Sequence, residues 1–279
     1  MAETEASFQH CATVTRRASS SFYLASRFFE PEVRRDLYAV YAFCRIADDI
    51  ADTPGLAKQD RINELGILEH TLKTERYEAD DLLWPAFFDA IGRHEIPKKY
   101  FRELLEGMMH DIEGKSIKSL HDLERYCYLV AGTVGGMCAY LVTKPDPDVI
   151  EAAIGLGVAM QITNILRDVS ADAKIGRVYL PADMMRRYGV KPANIQAGRA
   201  TTEAADLMRE LADIAQAKYS KAELVIEQKL PAKNRRAIKI ALRLYRGILF
   251  RIEQRNFNVY NTRVRLNFIE KVLLVTKTR

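Results

Sequence analysis

Apolar residues return every three to four positions along most of the chain, and the period-two alternation of β-branched residues that marks a strand is missing. This period predicts helices over residues 31–52, 58–77, 81–93, 97–112, 119–142, 148–172, 202–229, 232–257 and 266–276. Turn signals separate them at Thr53-Pro54-Gly55, Lys144-Pro145-Asp146-Pro147, Val190-Lys191-Pro192 and Leu230-Pro231, where proline withholds a backbone donor and stops a helix. None of these breaks is a long Pro/Gly/Ser linker, and composition does not shift across them. The expected architecture is all-α, with residues 1–279 as one domain.

Two of these helices carry polar stripes that an ordinary core helix would not have. Tyr41, Arg45, Asp48 and Asp52 are spaced four, three and four apart, which at about 100° per residue places them on one face. Asp49 lies to the side. Like charges one turn apart weaken a helix, and no lysine stands a turn away to relieve them. The segment QITNILRDVSAD repeats the arrangement with Gln161, Asn164, Asp168 and Asp172, on a helix that is otherwise apolar nearly all round. Such a helix is normally buried, and a buried line of amides and carboxylates is costly unless water, a cation or a cationic partner faces it.

Paired carboxylates on two helices suit a hard divalent ion. Mg²⁺, or Mn²⁺ in its place, takes oxygen ligands, keeps several waters and bridges one or two carboxylates to substrate phosphates. The spacing therefore predicts Asp48 and Asp52 facing Asp168 and Asp172 across a cleft, with Gln161 and Asn164 orienting a metal-bound water or a phosphate oxygen. Arg45, Arg167 and Arg177 match diphosphate oxygens bidentately. The plainer alternative for these arginines is internal salt bridges to the same aspartates, and the two roles coexist.

Composition sharpens this picture in three places. The 279 residues are 48% hydrophobic and 28% charged, enough for a sizeable core. The formal charge of +5 is concentrated after Lys229, where basic residues from Lys233 to Lys271 face only Glu253 and Glu270. That excess suits phosphate-bearing ligands or an anionic membrane surface, or it is simply a solvated face; nucleic acid is disfavoured because interleaved aromatics are missing. Cys11, Cys44, Cys127 and Cys138 have no disulfide or zinc spacing and read as small buried hydrophobes. The uncharged run 126–143 reads as a core helix rich in glycine, with membrane contact as the alternative. No signal or transit pattern is seen, so the expected address is cytoplasmic, peripheral contact with the inner membrane face included.

The segments SSSFYLASRFF (19–29), YAVYAFCRIADDIAD (38–52), YCYLVAGTVG (126–135) and QITNILRDVSADAKIGRVYLP (161–181) together resemble the squalene/phytoene synthase family over nearly the whole length. The resemblance implies an isoprenoid synthase fold around a central cavity and a Mg²⁺-dependent head-to-head condensation of two prenyl diphosphates. Position by position it implies metal binding at Asp48, Asp52, Asp168 and Asp172, and diphosphate contacts at Ser19, Ser21, Tyr41, Arg45 and Arg167. It implies that Gln161 and Asn164 line the same site, that Tyr126 is close to the reacting centre and that Tyr245 stands beside the substrate. The chain departs from the family at Ala18, where histidine is frequent, and at Ala171, where an acidic residue commonly precedes the last aspartate.

Two products fit the resemblance. Farnesyl diphosphate leads to presqualene diphosphate, and to squalene if NADPH reduces it; geranylgeranyl diphosphate leads to phytoene. The short chain and its C-terminal segment favour farnesyl by a narrow margin. Glycines within 128–142 either leave room for long tails or serve close helix packing. A non-catalytic, membrane-associated assembly protein is the rival from another class, and it would be expected to lose the aspartate pairs. His110-Asp111 and His121-Asp122 prompt a metal phosphohydrolase reading, but the remaining histidines do not complete such a site. A diiron protein is disfavoured because Glu-x-x-His at helical spacing is missing.

Overall fold

The computed structural model describes residues 2–278 except 19, 54 and 79, with the backbone alone at residues 2, 3, 20 and 21. Its described residues form fourteen α-helices and one π-helical stretch, with no strand. The helices are α1 (Ala2–Ala18), α2 (Ser20–Ser26), α3 (Pro31–Asp52), α4 (Lys58–Thr74), α5 (Trp84–Arg93), α6 (Lys99–Glu113), α7 (Leu120–Cys127), α8 (Thr133–Val142), α9 (Pro147–Lys174), α10 (Ala182–Tyr188), α11 (Pro192–Gln196), α12 (Thr202–Lys229), α13 (Ala232–Gln254) and α14 (Phe268–Thr276).

Local chemistry accounts for the ends. Proline opens α3 and α9, Asp146 caps α9 by accepting from the amides of Asp148 and Val149, and Ser119 and Asp122 form a reciprocal capping box on α7. Helix α4 stops three residues short of its expected end because Glu75 turns left-handed (φ 57°). The expected helix over 119–142 is in fact three pieces: α7, a π-helical turn at Tyr128–Gly132, and α8. Helices α1, α2, α10 and α11 were not foreseen.

Helix α9 is the axis of the molecule, packed against α8, α12 and α13. Glycine lets α8 come close: a Cβ at Gly135 would fall 2.0 Å from the Ala153 carbonyl oxygen, and one at Gly157 2.2 Å from that of Ala131. Close helix packing is therefore the first use of these glycines. On the other side, the Thr163 and Tyr219 hydroxyls meet at 2.9 Å, binding α9 to α12 inside the core. Under α3, Phe43, Trp84, Phe87 and Phe101 form a buried aromatic cluster with stacked and edge-on pairs. Each such side chain contributes about 1.5–3 kcal/mol by leaving water.

By length and composition α9 is the one described helix apolar enough to cross a bilayer, yet half of that window is buried within the protein. The uncharged run 126–143 is likewise largely interior, with Cys127, Leu129, Met137, Ala139 and Leu141 buried.

Candidate active site

Between α3, α6, α8, α9, α12 and α13 lies a cavity of about 320 Å³. Its walls are mostly apolar: Val134 and Cys138 from α8, Val149, Ala152 and Leu156 from α9, Ile226 from α12, and Ile238 and Leu244 from α13. Polar groups gather at one end, where Tyr41, Arg45 and Asp48 of α3 meet Gln161 and Asn164 of α9. Parts of both periodic stripes thus share one cavity, and the residues one to four turns further down α9 are its greasy wall. Gly135 and Gly157 line the cavity as well as bringing the helices together, so the two expected uses of glycine coincide.

Of the four motif aspartates only Asp48 is in the lining of this cavity, and Asp172 lines a smaller pocket with Arg177 and Tyr179; each of the four stands beside an arginine or another carboxylate. Arg45 reaches Asp48 at 2.8 Å and also binds Asp49. Arg177, in the loop after α9, donates to Asp52 at 2.6 Å and so ties the two motif segments together. Arg167 and Arg263 both grip Asp168 bidentately, the latter with two contacts of 2.8 Å. Burial pushes the Asp168 carboxyl up, but these four charge-assisted hydrogen bonds outweigh it and hold the group below its ordinary value.

Asp48 and Asp172 behave in the opposite way. Burial raises Asp48 to about 6, with Asp52, Asp49 and Asp111 adding repulsion against the relief from Arg45. Burial raises Asp172 to about 7, with Asp168 and Asp111 adding to it. The buried Asn164 Oδ1 has no hydrogen-bond partner, while its Nδ2 donates to Gln161 Oε1 at 3.3 Å. Crowded carboxylates and an orphaned amide oxygen form an oxygen-only donor set that positive charge would stabilise.

Asp111 is the residue the sequence reading passed over. It accepts from the Tyr126 hydroxyl at 2.9 Å and from the Tyr179 hydroxyl at 2.8 Å, and the two rings stack at 4.8 Å. Burial first, then the Asp111 charge, pushes the Tyr126 phenol well above its usual value. A signal for Asp111 did exist: Leu104, Met108 and Asp111 share one stripe of α6, and the first two line the cavity. Arg263 had no such signal, lying in irregular chain 95 residues from the aspartate it binds.

Tyr41 lines the cavity with its ring stacked on Phe22 at 4.3 Å, and Tyr245 lines it from α13. Tyr126 is buried behind the cavity wall and turned toward Asp111. Ser19 lies outside the described residues, as does the side chain of Ser21. Asp122 belongs to a helix cap, and the His110 ring lies 4.0 Å from Asp111, so neither His-Asp pair builds a separate site. Among the described residues no three His, Cys, Asp or Glu side chains converge as one metal cluster. Mg²⁺ does not require that, since one or two carboxylates with waters and phosphate oxygens complete its shell. The four cysteines are free, and burial pushes the Cys11 thiol up to about 12, in keeping with inert packing residues.

A helical bundle closed around an apolar cavity with polar groups of α3 and α9 in its lining is the isoprenoid synthase fold. The chain belongs to the squalene/phytoene synthase family, whose model matches residues 15–270. A chloroplastic phytoene synthase of Arabidopsis thaliana is 33% identical over 275 residues, covering 95% of this chain and 64% of that protein. This chain therefore spans just under two thirds of that relative's length. A 15-cis-phytoene synthase from a Paracoccus strain is 33% identical over 266 residues, covering 93% of this chain and 86% of that protein. Among solved structures, a dehydrosqualene synthase in complex with ligand superposes with a TM-score of 0.90 at 31% identity, covering 99% of this chain and 96% of that chain. A squalene synthase from Alicyclobacillus acidocaldarius gives 0.84 at 25%, covering 92% and 97%.

Proposed function

We propose that this chain condenses two prenyl diphosphates head to head. The observation that carries the proposal is the cavity itself: long apolar walls end at a polar mouth where burial and neighbouring carboxylates push up Asp48, while Asp172, raised in the same way, lies two turns beyond Asn164 on α9 and lines a smaller adjoining pocket. A divalent cation fits this donor set, with Asp48, Asp52, Asp168 and Asp172 to hold it. When bound it supplies the positive charge that a departing diphosphate needs.

The protein's own groups account for the rest. Arg45, Arg167 and Arg263, engaged with carboxylates here, have the guanidinium geometry to take phosphate oxygens once the carboxylates are otherwise satisfied. Breaking the C1–O bond of one substrate sends its electron pair to the diphosphate and leaves an allylic cation. The C2=C3 double bond of the second chain attacks that C1, and loss of a C1 proton to the released diphosphate closes a cyclopropylcarbinyl diphosphate. Apolar walls exclude the water that would quench the cation. The raised phenol of Tyr126 stays neutral at physiological pH. It therefore acts as a hydrogen-bond donor that, with Tyr179, holds Asp111, and not as a phenolate base.

Geranylgeranyl diphosphate, giving phytoene without a reductant, is the substrate we favour. From Asn164 to Val149 the α9 wall runs about 22 Å at ~1.5 Å per residue. An extended prenyl tail advances about 5 Å per isoprene unit at ordinary carbon–carbon bond lengths, so tails of about 15 or 20 Å both fit. Relatives named phytoene synthases then shift the narrow preference from farnesyl to geranylgeranyl. Likeness to a dehydrosqualene synthase supports farnesyl as the second reading, with NADPH entering only if a squalene-type product is reduced. The test is to supply each diphosphate separately with Mg²⁺, with and without NADPH, and to identify extracted lipids by mass. Phytoene from geranylgeranyl diphosphate is expected; a C30 product alone would establish the farnesyl reading, and consumption of neither would reject the condensation.

A further inference from the structure

Helix α14 is turned inside out for a surface helix. At about 100° per residue, Phe268, Val272, Thr276, Ile269 and Leu273 fall within one arc of about 140°. That arc faces outward: Phe268 is 80% exposed, Ile269 69%, Leu273 49% and Val272 42%, and no residue of the helix is fully buried. Its inner side rests on α13, with Leu274 against Gly247 and Glu270 held by Arg251 at 2.7 Å. A soluble helix normally does the reverse, hiding its apolar stripe. Reciprocal hydrogen bonding between Asn267 and Glu270 caps the first turn and fixes where the helix begins.

We infer that α14 is a docking element for an anionic lipid bilayer. Charge favours that occupant. Lys271 and Lys277 flank the two edges of the apolar arc, exposed Arg265 precedes the helix, and Arg243 lies at its C-terminal end, where it donates to the Lys277 carbonyl. The helix carries a single carboxylate, Glu270, which Arg251 already neutralises. Exposed apolar side chains rimmed by cations are what binds headgroup and acyl boundary together. Area argues against a second copy of the chain: nine residues present a footprint of about 150 Å² at ~1.5 Å rise and ~11 Å width. A stable dimer needs about 800 Å² from each partner. Ile238, Ala241 and Tyr245 of α13 line the cavity, while α14 packs on its Arg243, Gly247 and Arg251 row, so one helix separates the docked face from the cavity wall.

The test is flotation of the whole protein with vesicles of phosphatidylcholine alone and of phosphatidylcholine mixed with phosphatidylglycerol, at low and high salt. Binding to the mixed vesicles that weakens with salt is expected. A variant carrying Phe268→Asp and Ile269→Asp should partition at least about tenfold less, with unchanged circular dichroism and unchanged turnover in detergent. Because the native Trp84 is buried, Ile269→Trp supplies a second readout in a variant that keeps the face apolar: its emission should shift to the blue on mixed vesicles only. The inference is overturned if neither vesicle floats the protein, if the aspartate variant floats equally, if the Ile269→Trp emission does not move, or if light scattering shows a dimer that the aspartate variant abolishes. None of these outcomes depends on which prenyl product is formed.

Discussion

Two acidic regions of this protein, one buried outright and one partly open, have opposite characters. Asp36, 1% exposed on α3, accepts from Arg93 at 2.7 Å and shares an oxygen with His94 at 2.8 Å, with Arg35 also alongside. Burial pushes its carboxyl up, but these partners outweigh burial and hold it below the ordinary range. At Asp48, in the cavity lining, and Asp172, in the smaller pocket beside it, burial and neighbouring carboxylates outweigh Arg45, Arg167 and Arg177, and both are raised. Asp36, met by Arg35, Arg93 and His94, belongs to the fold; Asp168 is also met by arginines, but Arg167 and Arg263 have guanidiniums that an incoming phosphate can draw away. A carboxylate crowded by its own kind belongs to whatever cation or ligand comes next.

The largest test of that contrast is a pair of isosteric changes. Asp172→Asn should lower turnover by at least about 10²-fold while raising the stability of the metal-free protein by up to about 1 kcal/mol, since it removes repulsion. Asp36→Asn should do the converse, costing about 2–3 kcal/mol of stability because Arg93 and His94 lose their buried partner, with turnover of the folded protein nearly intact. Turnover assays and denaturant melts measure both. Equal destabilisation by the two changes would make Asp172 a structural carboxylate like Asp36.

Mg²⁺ offers the next largest effect. At 100 times its dissociation constant it should stabilise the native protein by about 2.7 kcal/mol, read as a rise in melting temperature. Asp168→Asn should lose most of that rise, and Asp36→Asn should keep it. A rise of equal size in the Asp168 variant would place the metal elsewhere.

The smallest effect is in pH, and the two regions have opposite signs. A raised carboxylate contributes stability that is fully present below its unfolded value and lost as pH climbs through its folded one. For Asp172 the metal-free melting temperature should therefore fall as pH rises from about 4 through about 7. A depressed carboxylate contributes stability present above its unfolded value and lost as pH falls through the folded one. Asp36 should accordingly govern the acid side, below about pH 4. Asp172→Asn should reduce the neutral slope, leaving the share that Asp48 contributes, and Asp36→Asn should reduce the acid slope. A pH series of melts on the three proteins would show whether the slopes separate in this way.

Sequence and structure agree where a signal repeats along the chain. The stripes Tyr41, Arg45, Asp48 and Gln161, Asn164 do line one cavity, because helical period alone decides which residues share a face. Boundaries moved where a single residue chose an unusual backbone, as at Glu75. The π-helical turn at Tyr128–Gly132 left no mark in the apolar period of 119–142, since its neighbours α6 and α9 press on that stretch from distant parts of the chain. Asp111 was read beside His110, its neighbour in sequence, when its partners are Tyr126 and Tyr179, 15 and 68 residues away.

The chain's order of residues was sufficient for the all-helical class, for the two carboxylate stripes and for the family resemblance, because each is a property of spacing or of a contiguous motif. Tertiary structure alone decided that Arg263 would grip Asp168, that Asp111 would join two tyrosines, and that α14 would turn its apolar face outward. These depend on which surfaces meet across tens of residues, and on charge satisfied or left crowded when they do. Neither quantity exists until the helices have packed.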